Sequence, residues 1–169
     1  MIRWPLPAVV RATAPGSPWF SRARRAHLRL GRRGEQLAAR LLRELGLKIL
    51  CHNYRGPHGE LDLVAREGGV LCFIEVKTRR ASARPGRPGA AVGAAKRRKL
   101  VHTARRYLHR LGHPPVPHRY DIVEILFDRH NGGPIQATYQ PHAFREDEVR
   151  AGAAARFPTV LGAPVNIAP

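Results

Sequence analysis

The spacing of apolar positions predicts a helix followed by a series of strands. From residue 34 to residue 45 the apolar residues recur at helical intervals, and Gly46 follows as a natural end for the helix. Three short apolar runs typical of strands follow, at residues 47–54, 61–65 and 70–78. Gly68 and Gly69 lie between the last two runs, and such a pair predicts a two-residue hairpin turn.

A second helix and further strands complete the predicted pattern. Residues 93–111 have apolar residues at helical spacing and basic residues on the opposite face. Strands are predicted at residues 120–127 and 135–139. The order helix, three strands, helix, strand predicts an α/β fold with a mixed central sheet flanked by helices.

Charge and composition divide the chain into a domain and two flanking segments. Residues 1–30 are rich in Arg and Pro and contain no acid, so we interpret them as a disordered basic leader. The domain is expected at residues 31–140, and residues 141–169 are expected to form a tail. Cys51 and Cys72 do not have the spacing of a metal knuckle or a disulfide framework, so both are interpreted as reduced thiols.

The net charge indicates a polyanionic partner. Lys and Arg number 30 against 12 Asp and Glu, which gives a formal charge of +18. Such a protein is expected to bind nucleic acid or an anionic membrane surface. No apolar stretch approaches the ~20 residues of a membrane span, and no Trp/Lys amphipathic helix is evident. We therefore expect a cytoplasmic nucleic-acid-binding protein without membrane contact.

Candidate phosphate contacts lie in the long segment from Arg79 to Arg119, which contains no acid. They would give affinity without reading base sequence. The alternative interpretation is a solvated helix face, but such faces usually mix charges of both signs. The predicted nucleic-acid-binding residues are Arg79, Arg80, Lys96, Arg97, Arg98 and Lys99.

Four of the twelve acids of the chain fall in the predicted hairpin. A two-residue Gly-Gly turn would place Asp62 opposite Glu75, and Glu60 opposite Lys77. Directly opposed carboxylates lie about 5 Å apart and repel, and a divalent cation such as Mg²⁺ would relieve this repulsion. Lys77 would share a face with Glu75, where it would polarise water or offset phosphate charge. The alternative is an exposed polar face with Glu60 and Lys77 as a surface ion pair.

Strand alternation makes a further prediction about the two faces of the hairpin. On the second strand, Glu60 and Asp62 are expected on one face, and Leu61 and Leu63 on the other. On the third strand, Phe73, Glu75 and Lys77 are expected to share a face. His52 and Asn53, before the hairpin, are interpreted as ordinary strand or loop residues.

These residues resemble a known nuclease signature. Asp62, the sequence Glu75-Val76-Lys77 and a preceding helical Glu35 are similar to the signature of the PD-(D/E)XK nuclease superfamily, which has a restriction-endonuclease-like fold. More closely, the chain resembles the YraN-like family of uncharacterised bacterial proteins at residues 31–39, 59–64 and 73–79. That resemblance implies a restriction-endonuclease-like core similar to archaeal Holliday junction resolvases.

The resemblance also implies roles for individual residues. Asp62 and Glu75 would be ligands of Mg²⁺ or Mn²⁺, Lys77 would be the catalytic lysine, and Glu35 would approach the metal through water. Leu61 stands where the superfamily signature has proline, as is usual in YraN-like sequences. Glu35 has a second explanation, because an acid in the first turn of a helix interacts favourably with the helix dipole.

Two functional hypotheses follow from the sequence. The favoured one is a metal-dependent endonuclease-like phosphodiesterase that acts on structured or branched DNA, with DNA favoured over RNA. The alternative is a non-catalytic nucleic-acid-binding or assembly protein with the same fold. Lys77 discriminates between them, because a binding module has no need of a lysine beside paired carboxylates. A monomer and a homodimer are both left open.

Overall fold

The computed structural model describes residues 18–57, 59–81 and 92–151, and their side chains from residue 28 onward. The predicted order of helix, three strands, helix and strand is confirmed, the further strand predicted at residues 135–139 is part of β5, and a short helix follows it. The elements are α1 (Pro18–Glu44), β1 (Lys48–Gly56), β2 (Gly59–Glu67), β3 (Val70–Arg80), α2 (Ala94–Arg110), β4 (His118–Phe127), β5 (Pro134–Phe144) and α3 (Glu146–Arg150).

The five strands form one mixed sheet in the order β1-β2-β3-β4-β5. Neighbouring strands are antiparallel except β3 and β4, which are parallel. A parallel pair requires a crossover connection, and α2 supplies it. The prediction of a mixed sheet flanked by helices is therefore confirmed.

Each face of the sheet is covered by one long helix. On one face, Ala38 and Leu42 of α1 pack with a core that includes Phe127. On the other face, Leu100 and Tyr107 of α2 pack with a second core. Because both faces are buried, the central strands read as continuous apolar runs in the sequence.

Two boundaries differ from the sequence prediction. Helix α1 begins at Pro18, inside the segment interpreted as a leader, because proline suits a first helical turn and the following Ala, Arg and Leu residues favour helix. Strand β5 continues to Phe144 through its pairing with Tyr120, where a tail was predicted. Helix α3 follows, and its Glu148 carboxylate accepts a hydrogen bond from Arg145 N at 3.0 Å. Residues 1–17 and 152–169 lie outside the described residues.

A glycine brings α1 close to β3. A Cβ atom at Gly34 would lie 2.1 Å from Thr78 Oγ1, far inside van der Waals contact. A larger residue at this position would require the Thr78 side chain, or the helix and strand that carry these residues, to shift. This close approach places the next residue, Glu35, beside the end of the β2–β3 hairpin.

The cysteines and the described helices bear on two further features of the chain. Cys51 and Cys72 are free thiols, as predicted. Within the described ranges, no helix has both the length and the apolar character needed to cross a membrane.

Candidate active site

The β2–β3 hairpin has the predicted register over most of its length. Glu67 pairs with Val70, and the pairs continue to Leu63 and Ile74. Gly68 at the turn has φ 54°, a left-handed conformation that glycine adopts without strain. The prediction that a Gly-Gly turn fixes this register is confirmed.

The ladder ends where the candidate site begins. One step beyond Leu63 and Ile74, the carboxylate of Asp62 accepts a hydrogen bond from Val76 N at 2.8 Å. The side chain thus satisfies a backbone N–H that would otherwise bond to a neighbouring strand. This contact turns Asp62 inward and fixes its position beside Glu75.

The predicted alternation of faces is wrong at Asp62. Leu61 lies in the core on the α2 side of the sheet, whereas Leu63 lies in the core on the α1 side. Opposite Asp62, Asn53 of β1 has φ 52°, which also departs from strand geometry. The pleat is therefore interrupted on both strands, and the residues on either side of Asp62 face different helices.

Asp62 and Glu75 form a buried carboxylate pair. Asp62 is 8% exposed, and burial together with the Glu75 charge raises the pKa of Asp62 to about 7. Burial also raises the pKa of Glu75, against the opposing effect of Lys96. Glu75 Oε2 is buried and has no hydrogen-bond partner among the described residues. A proton on Asp62 allows a hydrogen bond between the two carboxyl groups, and once that proton is lost the pair needs a further positive charge or a cation.

Lys96, which was predicted as a phosphate contact, lies against this pair and is partly exposed. Its Nζ is 3.1 Å from Glu75 Oε1. Burial lowers the pKa of Lys96, but the charges of Glu75, Asp62 and Glu60 outweigh that effect and hold this pKa above its ordinary value. Lys96 is thus part of the carboxylate cluster, a role that its position in a basic helix did not indicate.

Lys77 lies two residues beyond Glu75 on β3 and is aligned with Glu124 of the parallel strand β4. Burial and the charge of Arg79 lower the pKa of Lys77, while Glu124 and Glu75 raise it. Glu124 also forms an ion pair with Arg79, with 2.9 Å between Oε1 and Nε. Glu124 was missed in the sequence, since only the β3–β4 register shows that it borders the site.

Glu60 does not follow the predicted pairing with Lys77. The β2–β3 ladder ends at Leu63, so Glu60 pairs across the β1–β2 ladder instead. There it lies opposite Arg55, with 3.7 Å between Glu60 Oε2 and Arg55 Nε. The predicted surface ion pair thus involves a different partner on a different strand.

Glu35 extends from α1 towards the site and is bound by Asn53, which was predicted to be an ordinary strand or loop residue. Asn53 Nδ2 donates a hydrogen bond to Glu35 Oε2 at 3.0 Å. The charge of Glu35 contributes to the raised pKa of Asp62. Asn53 has a left-handed φ, and asparagine tolerates that conformation better than most residues. The structure therefore brings Glu35, Asp62 and Glu75 together, and Asn53 orients the first of them.

The predicted phosphate contacts include exposed residues, residues held in ion pairs and one buried residue. Arg80, Arg98 and Lys99 are exposed, as expected for phosphate contacts. Arg79 pairs with Glu124, and Lys96 with Glu75.

Arg97 is wrong as a phosphate contact, because it is 7% exposed. Its Nε donates to Val92 O at 2.7 Å, and its guanidinium lies 5.2 Å from the centre of the Phe144 ring. This side chain holds the start of α2 against the sheet.

The donor set of the site fits a hard divalent cation. Mg²⁺ commonly binds one or two carboxylates and takes its remaining ligands from water and phosphate. Asp62 and Glu75 supply such a pair, and the unpartnered Glu75 Oε2 is an oxygen still able to coordinate. In the part of the chain that the structure describes, no three His, Cys, Asp or Glu side chains are arranged to hold a metal by themselves. Water and substrate oxygens would therefore complete the coordination.

These features define a mixed α/β protein whose sheet carries a cluster of carboxylates and lysines where β2 and β3 separate. Residues 34–125 match the model of the family described as Uncharacterised protein family UPF0102, and the chain belongs to that family. The expected membership of the YraN-like family is thereby confirmed, and the matched segment includes Glu35, Asp62, Glu75 and Lys77.

Individual relatives extend this match over most of their own lengths. A UPF0102 protein of Symbiobacterium thermophilum is 53% identical over 97 residues, which are 57% of this chain and 81% of that protein. A UPF0102 protein of Syntrophotalea carbinolica is 43% identical over 120 residues, or 71% of this chain and 94% of that protein. One from Streptomyces griseus is 48% identical over 109 residues, or 63% and 88%.

Proposed function

We propose that this protein is a metal-dependent endonuclease-like phosphodiesterase with a restriction-endonuclease-like core. The observation that carries the proposal is the buried pairing of Asp62 and Glu75, with Lys77 two residues further along the same strand. Two carboxyl groups with mutually raised pKa values, held together in a mostly buried site, are typical of sites that bind a cation or take part in acid–base chemistry.

Mg²⁺ or Mn²⁺ bound by these carboxylates would lower the pKa of water and offset charge on a phosphate. The protein itself supplies orientation and proton handling. The Val76 N–H fixes the Asp62 carboxylate, and Asn53 holds Glu35 beside it. Burial and the charge of Arg79 lower the pKa of Lys77, and a lowered pKa would favour proton transfer from its Nζ to water or a phosphate oxygen.

The exposed basic residues support a nucleic-acid substrate. Arg80, Arg98 and Lys99 flank the site on the strand and helix that carry Glu75 and Lys96. On α1, Arg29 and Arg32 are also exposed, one or two turns before Glu35. Cations on both helices would contact phosphates on two sides of the carboxylate pair, without base readout.

We further propose structured or branched DNA as the substrate and the cytoplasm as the location. The resemblance to Holliday junction resolvases supports branched DNA. Two free thiols suit a reducing compartment.

A cleavage panel tests the proposal directly. Purified protein is incubated with linear duplex, flapped, four-way-junction and single-stranded DNA, and with matched RNA, in Mg²⁺, Mn²⁺ or EDTA. We expect cutting of at least one branched DNA in a divalent cation and none in EDTA. Activity that survives chelation would overturn the metal-dependent assignment.

A second candidate function is a non-catalytic nucleic-acid-binding protein. The observation that favours it is the ion pair between Lys96 and Glu75, which already neutralises one carboxylate without any metal. Under this alternative, every substrate in the panel binds and none is cut, and divalent cations do not change thermal stability.

A further inference from the structure

Lys96 lies where the carboxylate pair needs positive charge. Its Nζ is 3.1 Å from Glu75 Oε1, with the Lys96 side chain 39% exposed and that of Glu75 12% exposed. The charges of Asp62 and Glu60 act on the same ammonium. One flexible side chain from the first turn of α2 therefore compensates acids of two strands.

This ion pair satisfies only part of Glu75. The other oxygen, Oε2, is buried and has no partner among the described residues. A divalent ion shared by Asp62 and Glu75 would lie within a few ångströms of the Lys96 ammonium, where like charges repel strongly in a partly buried site. The lysine and the metal cannot both keep their most favourable positions at Glu75.

We propose that Lys96 is an internal counter-ion that competes with a divalent cation for Glu75, and that cation binding releases the Lys96 ammonium towards substrate phosphate. The lysine stem has four flexible carbons, so release requires no movement of α2. The competition concerns the metal alone, whereas the role of the released ammonium rests on the proposed nuclease function. In the absence of metal, Lys96 keeps the carboxylate pair ordered and its charge partly neutralised.

The test measures Mn²⁺ binding to the full chain without nucleic acid. Free Mn²⁺ is followed by electron paramagnetic resonance at fixed pH and about 0.15 M salt, which screens distant charges. The variant is Lys96→Met, which removes the ammonium and keeps most of the stem. The matched control is Arg106→Met, which removes the same charge from an exposed position on the same helix. Asp62→Asn shows whether the measured Mn²⁺ binds at the carboxylate pair.

We expect Lys96→Met to bind Mn²⁺ about two- to fivefold more tightly than wild type, the range for loss of one competing ion pair. Arg106→Met should match wild type, and Asp62→Asn should bind far more weakly. Equal or weaker binding by Lys96→Met would overturn the proposal, as would wild type that binds no Mn²⁺ or Asp62→Asn that binds normally. Thermal melting checks folding, and Lys96→Gln replaces Lys96→Met if that variant does not fold.

A parallel cleavage assay separates this inference from the proposed function. If Lys96→Met binds Mn²⁺ more tightly but the protein cuts no substrate, the proposed nuclease function is wrong, whereas the competition between Lys96 and the cation is supported. Cutting by wild type, with Mn²⁺ affinity unchanged in Lys96→Met, would refute the competition and keep the nuclease.

Discussion

The carboxylate of Asp62 accepts a hydrogen bond from the backbone N–H of Val76, 2.8 Å away, at the point where β2 and β3 stop pairing. A side chain here replaces the next backbone acceptor of the sheet. The same contact holds a negative charge against Glu75 in a site that is mostly buried. Asp62 therefore both ends the pairing of β2 with β3 and places a negative charge beside Glu75, so substitution of this one residue tests both effects.

Stability without metal should fall as pH rises through the range in which Asp62 ionises. Its folded-state pKa is raised to about 7 from an ordinary value of 3.8, so the folded protein holds a proton that the unfolded chain has lost. This stabilising contribution is complete below about pH 4 and is lost as pH rises to about 7. Asp62→Asn removes the charge and retains an acceptor for Val76, so it should unfold at higher temperature than wild type at pH 8.

The expected gain for Asp62→Asn at pH 8 is on the order of 1 kcal/mol, and it should vanish near pH 4. Asp128 is the matched control, because backbone N–H groups of Asn131 and His130 lower its pKa. Asp128→Asn should therefore lose stability at pH 8, the opposite sign. If Asp62→Asn melts below wild type at pH 8, the raised pKa and the repulsive pairing are wrong.

Catalysis should depend on Glu75 and Lys77 far more than nucleic-acid binding does. Glu75→Gln and Lys77→Met should each lower the cleavage rate by about a hundredfold or more, because they remove a ligand and a proton-transfer group. Affinity for the same DNA in Ca²⁺ should change by less than about threefold, since neither residue is among the exposed phosphate contacts. Single-turnover cleavage and fluorescence anisotropy measure the two properties. Wild-type cleavage rates in both variants would remove these residues from the mechanism.

Gly34 should be intolerant of even one added carbon. A Cβ there would meet Thr78 Oγ1 at 2.1 Å, so Gly34→Ala should cost about 1–3 kcal/mol of unfolding free energy. Gly31→Ala is the matched control on the same helix, with no atom within 4 Å of its new carbon. That variant should gain about 0.5–1 kcal/mol from helix propensity. Thr78→Ala should restore part of the loss in Gly34→Ala, and equal effects of the two alanines in urea melts would contradict the close approach.

The hairpin shows why part of this site could be predicted from sequence. A two-residue Gly-Gly turn fixes which residues pair, so the register from Glu67 to Leu63 followed from the sequence alone. The interruption at Asp62 did not follow, because it depends on a hydrogen bond to Val76 from a different strand. Local pattern sets strand pairing, but tertiary contact decides where that pairing ends.

In helix α2, the burial of one basic residue was predictable from the sequence, whereas the contact of another was not. Arg97, Leu100, Val101 and Ala104 follow the i, i+3, i+4, i+7 spacing of one helix face, so the burial of Arg97 was readable from the sequence. The contact of Lys96 with Glu75 was not readable. It depends on how the crossover between β3 and β4 places α2, and no short turn fixes that position.

Phosphate contacts on α2 should contribute to DNA affinity electrostatically, so their contribution should depend on salt and not on base sequence. Replacing both Arg98 and Lys99 by Gln should weaken all DNA substrates by a similar factor and reduce the slope of log K against log salt by about 1.8, or 0.9 per contact. Lys48→Gln is the control, because Lys48 is exposed at the far end of β1 from the site. Arg97→Gln should lower the melting temperature instead, since this side chain is buried. Loss of affinity for only one sequence, or an unchanged slope, would contradict this binding surface.

Asn53 should support catalysis through Glu35, and two substitutions can separate its hydrogen bond from its backbone conformation. Asn53→Gly keeps the left-handed φ without strain but removes the donor to Glu35 Oε2, whereas Asn53→Ala removes the donor and adds strain of about 1 kcal/mol. Both variants should cut DNA about tenfold more slowly, since the hydrogen bond is made to a charged carboxylate and such bonds contribute about 1.5 kcal/mol or more. Only Asn53→Ala should also melt at clearly lower temperature.

A double-mutant cycle then decides whether Asn53 acts through Glu35. Glu35→Ala alone should slow cutting at least as much as Asn53→Gly, and the double variant should be no slower than Glu35→Ala, because the hydrogen bond has no acceptor left to orient. Additive losses would mean that Asn53 contacts substrate or supports Asp62 independently. Glu35 lies in the middle of α1, so the predicted favourable interaction with the helix dipole is wrong. Mn²⁺ affinity provides a second readout: it should fall slightly in Asn53→Gly if Glu35 helps to hold the ion through water, and stay constant if it does not.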